Sequence, residues 1–248
     1  LKLSQEFSAS IQVHLKNINK MNLSVLRAQQ IFVAFRFVRG SETFCSIVSL
    51  CEKFLWVDAF SLVRVLVENN ISLQWMSESL EERFDLFQDE LSVKIRDILN
   101  LLEGKTPPPH LKERVLQREK EIAKEFRAVQ KKYDKAGKKR KRNPNYRPNP
   151  VPNIASMAEE IGKKEMYDTA YREASSAIHN DLWGYLRHTQ QNDETGVNFF
   201  PKVEVGTQAL SLGLTSYIGI ILSSQEEFEI VDVDEVKKWV SKINSTIP

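Results

Sequence analysis

Apolar residues recur at helical spacing along most of the chain, whereas no segment alternates clearly between apolar and polar residues at every second position. This pattern predicts an all-α protein. A first helix is predicted over residues 5–20. A second begins near Asn22 or Ser24 and ends at Gly40, because glycine is the residue most often found just beyond a helix C-terminus.

The next predicted helix begins at Ser41 and Glu42 and leads into the segment Lys53–Met76, which is apolar around most of its circumference. A helix of that kind normally lies at the centre of its domain. Residues 79–102 predict an amphipathic helix. The prolines at 107–109 end it, since proline interrupts the helical hydrogen-bond pattern.

The second half of the chain begins with a charged helix that carries only a narrow apolar seam. The residues of this seam, spaced at nearly seven-residue intervals, are Leu111, Val115, Ile122, Phe126, Val129 and Tyr133. Such a seam is typical of a helix that packs on one partner, so residues 111–133 are a candidate docking site for another protein. The remaining predicted helices cover residues 156–162, 164–190 and 205–224, and a last one is capped by Asp232 or Asp234.

We therefore expect a helical bundle interrupted by one insertion. Residues 1–104 would form its N-terminal half and residues 154–248 its C-terminal half, the two packing as one domain. The inserted segment, residues 105–153, holds the charged helix and a basic, proline-containing loop.

Composition is that of a soluble globular protein. The 248 residues carry a formal net charge of +2, which argues against a globally basic nucleic-acid-binding protein. Cys45 and Cys51 lie in an apolar helix at a spacing typical of neither zinc sites nor disulfide frameworks, so no metal or other cofactor is predicted. No signal peptide opens the chain, and the apolar run Leu210–Leu222 is too short to span a bilayer. We expect a cytoplasmic protein with no membrane partner.

One polar stripe stands out as a candidate site. Arg172, Ser175, Ser176 and His179 recur at i, i+3, i+4 and i+7, so they share one face of a helix, and Asp168 extends the stripe by one turn. An arginine and a histidine held about 10 Å apart, at ~1.5 Å per residue, suit the binding of a phosphate and the transfer of a proton. The alternative is a surface helix on which Arg172 pairs with Asp168.

A second stripe interrupts the apolar central helix, where Ser61, Arg64, Glu68 and Ser72 lie on one face. Burying an arginine and a carboxylate costs free energy unless the two are paired. They are therefore expected either to form an internal Arg64–Glu68 ion pair or to face the first stripe across a polar pocket. The two arrangements are compatible.

Both stripes carry a resemblance to the HEPN superfamily, helical domains of which many are metal-independent ribonucleases. Arg172 and His179, with six residues between them, fit its R-x(4–6)-H pattern. The pieces Leu62–Glu68 and Tyr171–His179 more specifically resemble an uncharacterised prokaryotic family that pairs an LxRxxxE helix with a later YRxxSxxxH helix. The resemblance covers less than a third of the chain.

The resemblance implies a HEPN-like bundle that cleaves RNA by transesterification, as toxins and antiviral defence effectors of this type do. It implies that Arg172 stabilises charge on the scissile phosphate and that His179 takes or delivers a proton during attack by the 2′-hydroxyl. Ser175 or Ser176 would position a phosphate oxygen or the imidazole. HEPN nucleases usually dimerise with their motifs facing each other, so a homodimer is implied, with RNA as substrate and without a metal.

A basic segment is the third feature. Nine lysines and arginines lie between Lys131 and Arg147, against a single acid, Asp134. Local positive charge of this density favours a polyanion, and the flanking Tyr133 and Tyr146 suit stacking on unpaired bases. The residues predicted to contact nucleic acid are Lys138, Lys139, Arg140, Lys141, Arg142 and Arg147. The alternative is a solvated charge run at the end of a helix.

A second function remains open. Glu173 directly follows the arginine, where HEPN nucleases commonly carry a smaller asparagine or aspartate, and its longer carboxylate would weaken phosphate binding. Together with the seam over residues 111–133, this favours a catalytically inactive HEPN-like module that binds nucleic acid or a partner protein in a defence or toxin–antitoxin complex. A third interpretation is that both stripes only stabilise the core, in which case their substitution would cause large losses of stability.

Overall fold

The computed structural model describes residues 6, 9, 26–102, 112–134, 148–178, 190–192, 196–198, 203–225, 227–228, 234, 237–238 and 241. Within these ranges the regular structure is almost entirely helical, which confirms the predicted all-α class. The helices are α1 (Ala28–Glu52), α2 (Trp56–Ser77), α3 (Leu80–Leu102), α4 (Lys112–Asp134), α5 (Ile154–Glu160), α6 (Lys164–Met166), α7 (Arg172–Ile178) and α8 (Val203–Gln225). A π-helical segment, Tyr167–Tyr171, joins α6 to α7.

The chain divides into two compact units. Unit 1 joins residues 1–78 with residues 154–248, and unit 2 comprises residues 79–153. The inserted segment is thus longer than the expected 105–153, because α3 packs against α4 and belongs with it.

Unit 2 is a pair of helices held together by apolar contacts and a small polar cluster. On α4, Ile122 and Val129 are buried. Asp89 of α3 accepts hydrogen bonds from Lys132 Nζ at 2.6 Å and from the Tyr133 hydroxyl at 2.8 Å. Burial of Ile122 and Val129 means that the middle of the predicted docking seam is already covered within the chain.

The core of unit 1 is built by α1, α2 and α8, which pack on one another. The central position predicted for the Lys53–Met76 helix is confirmed, since α2 contacts α1, α5, α7, α8 and the π-helical segment. Burial on all sides explains why its sequence is apolar around most of the circumference. The core residues of the three helices include Val33, Phe37, Phe44, Ile47, Phe60, Val63, Leu66, Val67, Ile71, Val205, Ala209, Leu214, Tyr217 and Ile220.

The helix end predicted at Gly40 is wrong: α1 continues through Gly40 to Glu52. A Cβ atom at this position would lie 2.8 Å from Ile220 Cδ1 and 3.1 Å from Asn69 Nδ2. Glycine is therefore present because α8 and α2 approach α1 closely there, and this packing offsets its low helix propensity of about 1 kcal/mol. The actual break follows Glu52, where Phe54 has a positive φ of 62°.

A buried tyrosine connects α8 to α1. The Tyr217 ring stacks on Phe44 at 5.4 Å between centroids with an interplanar angle of 8°. Its hydroxyl lies 2.7 Å from Ser41 Oγ, which itself donates to the carbonyl of Phe37 at 2.9 Å. Because serine has a single hydroxyl proton, Tyr217 is the donor to Ser41. Burial raises the pKa of Tyr217, so this phenol remains protonated and keeps its hydrogen bond.

The helix predicted over residues 164–190 is not continuous. It is interrupted by the π-helical segment, and Gln190 lies in a short strand, β1 (Gln190–Asn192), which pairs antiparallel with β2 (Gly196–Asn198). A three-residue strand is too short to show alternation of apolar and polar residues, so the sequence pattern does not predict it. The first predicted helix, residues 5–20, lies outside the described residues except for Glu6 and Ala9, which are helical.

Among the described helices, α8 has the length and apolar composition of a membrane span, although 50% of its apolar window is buried within the protein. It packs against α1 and α2, and core helices of soluble proteins have the same properties. The fold is therefore compatible with a soluble protein.

Candidate functional site

The first polar stripe is carried by three short consecutive elements: α6, the π-helical segment and α7. A π-helical turn contains one residue more than an α-helical turn, so it rotates the residues that follow it about the helix axis. Such turns occur frequently at functional sites. Arg172 is the first residue of α7, directly after this turn.

Arg172 is exposed to solvent over 69% of its side chain. Its Nη1 atom lies 3.8 Å from Asp168 Oδ1, while Asp168 Oδ2 accepts a hydrogen bond of 2.7 Å from Lys164 Nζ. The Asp168–Arg172 pair expected of a surface helix is therefore present, but it is long and solvated. Because such a pair is weak in water, the guanidinium can bind an external anion at small cost.

The hydrogen bond from Lys164 lowers the pKa of Asp168, and the charge of Arg172 adds a smaller effect in the same direction. The same hydrogen bond raises the pKa of Lys164. Asp168 therefore stays ionised through neutral and mildly acidic pH. Its contribution to stability is lost only as the pH falls through this lowered pKa.

The serines of the stripe lie on α7 as the spacing predicts. Ser175 and Ser176 are half-buried, and Ser176 Oγ donates to the backbone carbonyl of Glu173 at 2.7 Å. The Glu173 side chain is on the exposed side of the helix. The other predicted site residues, His179 and the basic residues Lys138, Lys139, Arg140, Lys141, Arg142 and Arg147, lie outside the described residues.

The second stripe is arranged differently from the expected internal ion pair. Within the part of the chain that the structure describes, Arg64 forms no ion pair with Glu68. Its guanidinium carbon lies 5.2 Å from the ring centroid of Tyr171, one residue before Arg172. The helix α2 packs against both the π-helical segment and α7, so the two stripes adjoin at Tyr171.

Glu68 instead exerts its charge on Arg36 of α1, a residue that sequence analysis missed. Burial lowers the pKa of Arg36, and Glu68 opposes that shift. Arg36 Nη1 donates to Asn69 Oδ1 at 3.2 Å, and Asn69 Nδ2 donates back to the Arg36 carbonyl at 2.9 Å. The signal in the sequence was the interruption of two apolar helices by Arg36 and by the Asn69–Asn70 pair.

Hydrogen bonds from α2 also hold the elements that precede Arg172. Asn70 Nδ2 donates to Met166 Sδ at 3.7 Å, and Asn70 Oδ1 accepts from Gln74 Nε2 at 2.6 Å. Trp75 Nε1 donates to Glu160 Oε2 at 2.7 Å. These contacts attach α5 and α6 to the central helix and so fix the start of the π-helical segment.

Residues 30–196 match the model of DUF5677, a family of unknown function. The chain belongs to this family. The matched region contains both polar stripes and Arg36. No curated protein and no solved structure gives a significant match.

In this DUF5677 protein, the described residues contain no group of three histidine, cysteine, aspartate or glutamate side chains arranged to hold a metal ion. Cys51 is buried, its thiol faces the Gly206 carbonyl at 3.8 Å, and burial raises its pKa to about 11. A thiol with that pKa is protonated at neutral pH and is a poor nucleophile.

Proposed function

We propose that this protein is a metal-independent RNA endonuclease of HEPN type that acts in the cytoplasm as a toxin or antiviral defence effector. The observation that carries the proposal is that the Arg172 side chain is exposed and only weakly paired. Arg172 is the first residue of α7, its side chain is 69% exposed, and its ion pair with Asp168 is 3.8 Å long. In the sequence, His179 directly follows Ile178, the last residue of α7. A cation in that state is available to a phosphate.

The proposed reaction is transesterification within RNA. The 2′-oxygen bonds to the adjacent phosphorus, its proton passes to a base, and the bond from phosphorus to the 5′-oxygen breaks as that oxygen gains a proton. His179 is the proton carrier, and Arg172 stabilises the charge that develops on the phosphate oxygens. Ser175 is a candidate to orient a phosphate oxygen, since the proton of Ser176 is donated to the backbone of Glu173.

A homodimer fits this chemistry. The donor and acceptor nitrogens of a neutral imidazole point in different directions, and the attacking 2′-oxygen and the leaving 5′-oxygen lie on opposite sides of the phosphorus. One imidazole therefore cannot serve both oxygens at the same moment. Two copies with facing motifs would supply one His179 as the base and the other as the acid.

The proposal is tested by incubating the purified protein with a mixed single-stranded RNA pool in excess EDTA. We expect cleavage fragments that end in a cyclic or 3′-phosphate, because the reaction needs no metal ion. Matched DNA, which lacks the 2′-hydroxyl, should remain intact. Cleavage that stops on chelation, or that proceeds equally on DNA, contradicts this mechanism.

The alternative function is a catalytically inactive HEPN-like module. Two carboxylates favour it: Asp168 pairs with Arg172, and Glu173 adjoins it in sequence. Both would compete with a phosphate for the guanidinium. Since Ile122 and Val129 of the 111–133 seam are buried, we favour nucleic acid over a partner protein as the ligand of such a module. RNA binding without cleavage in EDTA or in magnesium identifies this case.

Deletion of residues 137–148 should weaken RNA binding and flatten its dependence on salt. The deletion removes six of the nine lysines and arginines of the basic segment, namely Lys138, Lys139, Arg140, Lys141, Arg142 and Arg147. Each cation that contacts a phosphate releases a counterion, so fewer contacts lower the slope of log Kd against log salt. The measurement is fluorescence anisotropy over a salt series. If the affinity for RNA and the slope are both unchanged, the segment does not contact RNA and is only a linker.

A further inference from the structure

Three side chains from two elements form a stack beside Arg172. The rings of Tyr167 and Tyr171 are stacked at 4.8 Å between centroids with an interplanar angle of 18°. The Arg64 guanidinium of α2 lies over the Tyr171 ring at 5.2 Å. We call Arg64, Tyr171 and Tyr167 the stacking ladder. Both tyrosines belong to the π-helical segment, which packs against α2.

The polar atoms of the stacking ladder have no partner among the residues that the structure describes. Within the described part of the chain, Arg64 donates no hydrogen bond and forms no ion pair, and neither tyrosine hydroxyl has a hydrogen-bond partner. All three side chains are half-buried, so their polar ends reach solvent. Arg36, which is also half-buried, by contrast donates a hydrogen bond to Asn69 Oδ1 at 3.2 Å.

Core packing alone does not account for this arrangement. A structural arginine at a half-buried position is normally paired with a carboxylate or a carbonyl. Without such a partner, removing its five N–H donors from water costs free energy of folding. A planar guanidinium that lies over an aromatic ring and has no described hydrogen-bond partner is instead suited to bind a phosphate or the edge of a base. Stacked tyrosines present a flat apolar face, the usual platform for an unpaired base.

We propose that the stacking ladder is a nucleotide-binding subsite for single-stranded RNA, next to the phosphate site at Arg172. A base stacks on the ladder, and Arg64 hydrogen-bonds to the edge of that base. This inference rests on the proposed function and adds a preference to it: RNA with unpaired bases is bound in preference to a bare sugar–phosphate chain or to duplex RNA, whose bases are already stacked.

The experiment compares two fluorescein-labelled 2′-O-methyl RNA decamers, one with bases and one with all bases removed. Methylation blocks attack by the 2′-oxygen, so binding is measured without cleavage. Dissociation constants are determined by anisotropy in EDTA for wild type, Arg64→Gln and Tyr167→Leu. Tyr167→Phe keeps the ring, and Arg39→Gln removes an exposed arginine of α1 that pairs with Glu42 at 3.1 Å.

We expect wild type to bind the base-containing decamer about tenfold more tightly than the abasic one, the usual size of a base–aromatic stacking effect. Arg64→Gln and Tyr167→Leu should reduce this ratio towards one, whereas Tyr167→Phe and Arg39→Gln should retain it. Equal binding of the two decamers by wild type overturns the subsite, as does a ratio that Arg64→Gln and Tyr167→Leu leave unchanged, or no binding at all.

Cleavage of unmodified RNA by the wild-type protein is recorded in parallel, and it separates the two proposals. Cleavage without a preference for bases rejects the stacking ladder and leaves the nuclease. A preference that depends on Arg64 in a protein without cleavage rejects the nuclease and leaves the subsite. Circular dichroism of each variant excludes unfolding as the cause of lost binding.

Discussion

Arg172→Ala and His179→Ala are each expected to lower RNA cleavage by about 10²–10⁴-fold, the range found when a proton-transfer group or a donor to a developing charge is removed. In the proposed mechanism Arg172 supplies the positive charge next to the phosphate, and no other described residue of α7 is a cation. The measurement is the initial rate of cleavage of a fluorescent RNA in EDTA.

These two variants should keep the fold. Arg172 is 69% exposed and pairs only loosely with Asp168, so its loss should leave the helical circular dichroism and the melting temperature close to wild type. Arg39→Ala, which removes an exposed arginine of α1, is the matched control and should retain full cleavage. If both Arg172→Ala and His179→Ala cleave RNA as fast as wild type, neither residue is catalytic. A large fall in melting temperature would instead favour a structural role for the stripe.

Phe44→Ala should destabilise unit 1 by about 3–5 kcal/mol, the cost of truncating a fully buried phenylalanine. The side chain of Phe44 has no exposed surface, and its ring stacks on Tyr217 at 5.4 Å. Its loss leaves a cavity where α1 meets α8, and the aromatic contact is lost as well. Since a typical domain is stable by only about 5–15 kcal/mol, much of the unfolding free energy would disappear. Urea denaturation followed by circular dichroism measures the change.

The matched control for Phe44→Ala is Phe35→Ala, nine residues earlier on the same helix and 59% exposed. Its effect should lie within about 0.5 kcal/mol, as for most surface substitutions. If both substitutions destabilise equally, α1 does not use the face on which Phe44 lies as its core face.

The helices of the core were predictable because burial imposes a periodic pattern on the sequence. The apolar residues of α2 surround the helix, and from this alone its central position followed. The helices predicted over residues 79–102 and 205–224, and the charged helix that carries the seam over residues 111–133, agree with the structure within a few residues for the same reason. Each buries a face that is long enough to repeat several times.

The errors occurred where the decisive contact comes from a distant part of the chain. Gly40 has the local signature of a helix end, yet it lies inside α1 because Ile220 and Asn69 leave no room for a Cβ atom. The spacing along α2 predicts Arg64, four residues away, as the partner of Glu68, whereas the charge of Glu68 acts on Arg36 of another helix. Sequence spacing identifies side chains that are neighbours on one helix, but it does not identify side chains that meet across the interface between two helices.

The sequence by itself determined the all-α class, the central helix and the polar positions at Arg64, Glu68, Arg172, Ser175 and Ser176, since periodicity and residue chemistry are properties of the chain alone. Only the tertiary structure decided which of these residues meet. It introduced the π-helical turn before Arg172, placed Arg64 on Tyr171 instead of on Glu68, and assigned α3 to the same unit as α4. The physical reason is that side-chain pairing depends on how helix faces dock, and docking is set by the packing of the whole core.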